Sequence, residues 1–120
     1  LGKPAFYGAV LPAPDMPTTI HAYCLAYITS TQADIIAIGT DKTKQRRGFG
    51  QIILQHLIDV TEQHNVAEIT LEVAADNIAA RRLYASCGFH VSGIRKGYYY
   101  CGENRCDALI MVRQCESAFS

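Results

Sequence analysis

The stretch Asp34-Ile35-Ile36-Ala37-Ile38-Gly39-Thr40, followed after four residues by Gln45-Arg46-Arg47-Gly48-Phe49-Gly50, changes its hydrophobic period midway. Asp34 to Thr40 is almost continuously apolar, the pattern of a strand covered on both faces. From Gly48 to His64, Phe49, Ile52, Ile53, Leu57 and Val60 recur at spacings of three and four, one face of an amphipathic helix. A strand therefore feeds a helix through a glycine-bearing turn. Backbone N–H groups at a helix start, with the macrodipole behind them, form an anion site. Glycines there let the main chain approach phosphate oxygens without a Cβ in the way. Lys42, Lys44, Arg46 and Arg47 ring the same turn. On glycine spacing by itself, a turn with a solvated basic rim fits equally well.

Better-known glycine motifs do not fit. Arg47-Gly48-Phe49-Gly50 matches the start of an RNA-recognition core, but Gln51, Ile52, Ile53 and Leu54 continue with helical spacing and no aromatic returns. A Walker A loop needs Gly-Lys-Ser/Thr, and a dinucleotide fingerprint needs a third glycine.

Working outward, Ala5–Leu11 reads as a strand. The prolines at 12, 14 and 17 punctuate the chain, and Ile20–Thr29 reads as a half-buried strand with Tyr23, Leu25 and Tyr27 in alternation. Ser30 to Gln32 makes a short turn. After the first helix, with Asn65 as its stop, Ala67–Ala74 alternates Ile69, Leu71 and Val73 against Thr70 and Glu72. A second helix follows, capped by Asp76 or Asn77, with Ala80, Leu83, Tyr84 and Cys87 as its apolar stripe and Gly88 as its left-handed end. Phe89–Ile94 and Asp107–Arg113 read as two last strands, joined by a connection around Tyr98-Tyr99-Tyr100. The result is an α/β layered (α+β) domain whose strand–helix–strand unit, Ile35 to Ala74, pairs its strands in parallel.

The chain has 120 residues, 49% hydrophobic and 18% charged, a range that supports one globular domain over 1–120. Eleven Lys plus Arg against eleven Asp plus Glu exclude a generally basic nucleic-acid binder. No apolar run approaches the roughly 20 residues of a membrane helix, and the first residues lack a signal-peptide pattern. Five cysteines, Cys24, Cys87, Cys101, Cys106 and Cys115, lack the dense even spacing of a secreted scaffold and read as free thiols in a reducing cytoplasm. Neither they nor His21, His56, His64 and His90 show metal-ligand spacing, so no metal is expected.

Taken in order, the buried strand, the Gln-x-x-Gly-x-Gly turn, the helix, Leu71-Glu72-Val73 and Asn77-x-x-Ala80-x-x-Leu83-Tyr84-x-x-x-Gly88-Phe89 resemble the GNAT N-acetyltransferase superfamily. The resemblance runs from about Ile20 to Arg113. With Arg95, Tyr98-Tyr99 and Asp107-Ala108-Leu109-Ile110-Met111, it is most similar to the bacterial ribosomal-protein alanine N-acetyltransferases of the RimI type. It implies a mixed, mostly antiparallel sheet with a parallel central strand pair and flanking helices. The family's opening strand and helices have no counterpart ahead of Leu1.

The resemblance also implies acetyl-CoA as donor and the N-terminal segment of an acceptor protein, such as a ribosomal protein, as partner. Main-chain groups of Ile38, Gly39 and Thr40 would bind the pantetheine arm. Arg46, Arg47, Gly48, Phe49, Gly50 and Gln51 would hold the pyrophosphate, and Asn77 would contact the cofactor near its reactive end. Glu72, on the strand face opposite Leu71 and Val73, becomes the general base rather than a solvated glutamate. Tyr84, a core aromatic on position alone, becomes the proton donor to the leaving thiolate once its phenol shifts slightly downward. A backbone N–H near Ile38 would stabilise the oxyanion. Tyr98, Tyr99 and Tyr100 either wall the acceptor groove or form a partly buried aromatic turn. Transfer to lysine or a small amine, and a silent CoA-binding module that needs neither Glu72 nor Tyr84, are the competing readings.

Overall fold

The computed structural model describes residues 4–12, 20–40 and 48–115. In chain order these form β1 (Ala5–Pro12), β2 (Ile20–Ile28), β3 (Gln32–Thr40), α1 (Phe49–Gln63), β4 (Glu68–Ala74), α2 (Ile78–Ser86), β5 (His90–Cys101) and β6 (Asn104–Gln114). The strands make one six-stranded sheet in the order β1-β2-β3-β4-β6-β5. Only β3 and β4 run parallel, and every other neighbour is antiparallel. The expected mixed sheet with its central parallel pair and flanking helices is therefore present.

The core lies where α1 meets the sheet. Ile53, Leu54, Leu57 and Ile58 are buried on α1, which packs on β2 with its small side chains Ala22, Cys24 and Ala26, and the buried Ile69, Leu71 and Val73 of β4 belong to the same core. Two expectations change here. Ile52 is 52% exposed while Leu54 and Ile58 are fully buried, so the apolar stripe is rotated around the helix. On β2 the covered face is the small one, and Tyr23 points outward at 47% exposure. Small residues under α1 let the helix approach closely, which hydrophobicity counts of large side chains do not register. The one buried hydroxyl in α1, Thr61, donates to the Ile58 carbonyl at 2.8 Å. The left-handed stop after α1 is Asn65, with φ 58°.

α2 begins at Asn77, not Asp76: the Asn77 Oδ1 accepts the Ala80 N–H at 3.2 Å. It ends as expected at Gly88, φ 91°, where the Phe89 N–H returns to the Tyr84 carbonyl at 3.0 Å.

The tyrosine-rich connection is not a loop. β5 continues through it to Cys101, with Tyr99 opposite Cys106 and Tyr100 opposite Arg105. The pairing absorbs an irregularity between Arg95 and Tyr99, where Gly97 takes φ 60° and its N–H donates to Asp107 Oδ1 at 2.9 Å. Local sequence concealed the bulge because the anchor, Asp107, sits on the partner strand. The free-thiol reading fails for two of the five cysteines: Cys101 and Cys106 are bonded to each other. Hairpin pairing brings them to a Cα separation of 5.8 Å, and spacing alone could not show that without the register.

Candidate active site

β3 and β4 pair for only three positions, Gln32 with Glu68, Ala33 with Ile69 and Asp34 with Thr70. At the last pair the Thr70 hydroxyl donates to Asp34 Oδ1, which also accepts from Gln32 Nε2. Beyond it the strands part. On the other edge of β3, the register with β2 slips between Leu25 and Ala26, leaving Ile36 unmatched. Ile36 is 53% exposed, so the strand expected to be covered on both faces is open where it diverges.

The gap holds a cleft of about 230 Å³, lined by Ile35 to Ile38 on one side and Leu71 to Ala74 on the other, with Asn77, Tyr84 and Tyr99. It explains how groups from opposite faces of the sheet can meet. Glu72 alternates with the buried Leu71 and Val73 and so lies on the other face, while Tyr84 belongs to the core beneath them. A continuous sheet would separate the two; the parted strands let both line one space.

Glu72 is not isolated. Its Oε1 lies 3.3 Å from Arg95 Nε, with the two side chains 32% and 51% exposed. The Arg95 guanidinium stands 5.3 Å from the centroid of the Tyr98 ring, and Tyr98 meets Tyr99 edge-on at 5.2 Å. Burial, then the Glu72 charge, raises the Tyr99 phenol above its ordinary value. The tyrosines divide: Tyr99 lines the cleft, whereas Tyr100 is 74% exposed beneath Arg105.

Tyr84 is 7% exposed and packs edge-on against Phe89. Its phenol moves opposite to expectation. Desolvation raises it from 10.0 to about 12 because removal from water disfavours phenolate. The hydroxyl therefore keeps its proton throughout the neutral range. A folded-state value above the unfolded one contributes stability that is complete below about pH 10 and lost as pH rises toward about 12. Between about pH 9 and about pH 11.5, urea unfolding of the native chain should lose about 2 kcal/mol more than that of Tyr84→Phe. Parallel losses in both proteins would show that burial of Tyr84 does not set this alkaline limb.

The start of α1 has the features of an anion cradle. Gly48 caps it at φ 79°, with no atom of the described residues within 4 Å of where a Cβ would stand and no side-chain cap bond. The first turn holds no acidic residue, so the N–H groups that a helix start leaves unpaired face no carboxylate from their own turn. A Cβ on Gly50 would come within 3.1 Å of Leu83 Cδ2 and 3.5 Å of Thr40 Cγ2, which places this turn against α2 and the end of β3. These residues fit a diphosphate followed by an extended arm leading into the cleft. Phe49 stacks on the buried His21 ring at 4.2 Å. His21 Nδ1 has no hydrogen-bond partner among the described residues.

Of the residues singled out from sequence, Glu72, Tyr84, Ile38 and Asn77 line the cleft, although the Asn77 Oδ1 is already committed to capping α2. Gly39 and Thr40 continue β3 past it, and Gly48, Phe49, Gly50 and Gln51 form the start of α1. Gly39 has a packing reason as well: a Cβ there would stand 2.6 Å from the Tyr23 ring. Arg46 and Arg47 lie outside the described residues. Sequence reasoning missed the Ile36 irregularity, the Asp34–Thr70 contact and the pairing of Arg95 with Glu72. Asp76 was not linked to the cysteines either, yet Cys106 Sγ lies 3.7 Å from its Oδ2, beside the disulfide.

Residues 7–89 match the profile described as the Acetyltransferase (GNAT) family. The ribosomal protein bS18-alanine N-acetyltransferase of Escherichia coli is 41% identical over 91 residues, covering 76% of this chain and 62% of that protein. The N-alpha-acetyltransferase RimI of Mycobacterium tuberculosis is 39% identical over 66 residues, 55% of this chain and 40% of that protein. The chain thus spans less than two thirds of the length of these curated relatives. A crystal structure of the ribosomal-protein-S18-alanine N-acetyltransferase from Escherichia coli superposes with TM-score 0.87 and 34% identity, over 94% of this chain and 71% of that one.

Proposed function

Because the chain belongs to the acetyltransferase (GNAT) family, we propose that it transfers acetyl from acetyl-CoA to the α-amine of a protein N-terminus, an alanine of ribosomal-protein type. The observation that carries this reading is the cleft between the parted strands, in which Glu72 and Tyr84 line one space. The 41% identity to the Escherichia coli enzyme supports the choice of acceptor.

Acetyl-CoA supplies an acetyl group activated as a thioester. In this reading the chain's own groups do the rest. The N–H groups at the start of α1, from Gly48 to Gln51, hold the diphosphate, with Arg46 and Arg47 adding positive charge. Main-chain groups of Ile38, Gly39 and Thr40 run beside the pantetheine arm, and Asn77 stands near its reactive end. Glu72 takes the proton from the acceptor ammonium. An α-amine with pKa of about 8 asks less of that base than a lysine of about 10.4. Tyr84, protonated because it is buried, directs its O–H at the departing sulphur and stabilises charge as it develops.

The test is acetyl-CoA with two peptides, one with a free N-terminal alanine and an internal lysine, the other blocked at its N-terminus. Mass spectrometry should find acetyl on the α-amine of the first and none on the second. Acetylation confined to lysine would overturn the acceptor assignment. Cofactor binding without thiol release on either peptide would overturn the catalytic one.

A further inference from the structure

The geometry points to Arg95 as a positioning residue for Glu72, an inference that rests on the proposed base role. Glu72 and Arg95 do not come from neighbouring strands, since β6 runs between β4 and β5. Glu72 lies opposite Ile110, and Ile110 opposite Gly93. Two residues on, Arg95 shares that sheet face and reaches back across β6 to place Nε 3.3 Å from Glu72 Oε1. Gly93 offers no side chain in the way; a Cβ there would lie 3.5 Å from Ile110 Cδ1.

Two further features set this contact apart from a chance surface pair. The guanidinium also stands over the Tyr98 ring, 5.3 Å from its centroid, which limits where it can swing. Arg95 is also the last residue in register before the irregularity that ends at Tyr99. The Gly97 N–H bond to Asp107 fixes that bulge, and Tyr99 re-enters as a wall of the same cleft. Bulges beside sites re-aim side chains. Here the bulge sets Arg95 on the carboxylate and Tyr99 beside it. Arg95 thus confines Glu72 to the cleft wall while leaving its second oxygen for the acceptor.

The test compares Arg95→Met, Arg95→Lys, Glu72→Gln and the Arg95→Met/Glu72→Gln pair. Arg95→Met should lower kcat about tenfold with the KM for acetyl-CoA unchanged, because misplacing a base slows the chemical step rather than donor binding. Arg95→Lys should recover part of the loss, since it restores charge but not the planar fork. In the Glu72→Gln background, Arg95→Met should cost nothing further, as residues acting through one another are not additive. An exposed ion pair adds little stability, so the variants fold. Unchanged kcat in Arg95→Met, or an equal loss with and without Glu72, would overturn the inference and leave the base assignment standing. Full turnover in Glu72→Gln would remove the base assignment and this inference with it.

Discussion

Glu72→Gln is expected to lower kcat for α-amine acetylation by about 10²–10³-fold, the usual contribution of a positioned general base. The amide keeps the shape of the side chain on β4 but cannot take up a proton. The KM for acetyl-CoA should stay within about twofold, because the diphosphate cradle on α1 is untouched. Continuous thiol release at saturating peptide reads both quantities. Stability should change little, since the ion pair with Arg95 is partly exposed and such pairs contribute about 0–1 kcal/mol. Equal turnover in the two proteins would mean that the acceptor loses its proton elsewhere.

Gln51→Glu tests the other end of the site. Gln51 is exposed in the first turn of α1, where no acidic side chain stands. A near-isosteric carboxylate there should leave the fold intact and favour the helix by about 0.3–1 kcal/mol, because it complements the macrodipole. The same charge would oppose a bound diphosphate, and the KM for acetyl-CoA should rise on the order of a hundredfold at low salt, shrinking as salt screens the repulsion. Stability and donor affinity should therefore move in opposite directions. An unchanged KM with a higher melting temperature would place the diphosphate away from this turn.

Much of the fold was legible because its signals are local. The change of period at Gly48, the Asn77 cap region and the Gly88 stop each follow from a few neighbouring residues. Glu72 could be placed on the face opposite Leu71 and Val73 by alternation alone. What stayed hidden depends on partners distant in the chain. The parting of β3 from β4 cannot be read from Asp34–Thr40, whose apolar run looks like a fully covered strand. The bulge before Tyr99 requires Asp107, and the disulfide requires the hairpin register. The direction of the Tyr84 shift was misjudged for a related reason: an acid role favours a lower phenol, but the packing of Tyr84 against Phe89 and the core decides its solvation.

The hydrogen bond from Thr70 to Asp34 has a mechanical consequence. The sheet consists of two leaves, β1-β2-β3 and β4-β6-β5, bound along a spine only three residue pairs long. α1 packs mainly on the first leaf, and Glu72 with its arginine rides on the second. Any widening of the gap is then a pivot about that spine, with Asp34 and Thr70 as its outermost stitch. A molecule wedged between the leaves would tie them together where their main chains do not pair.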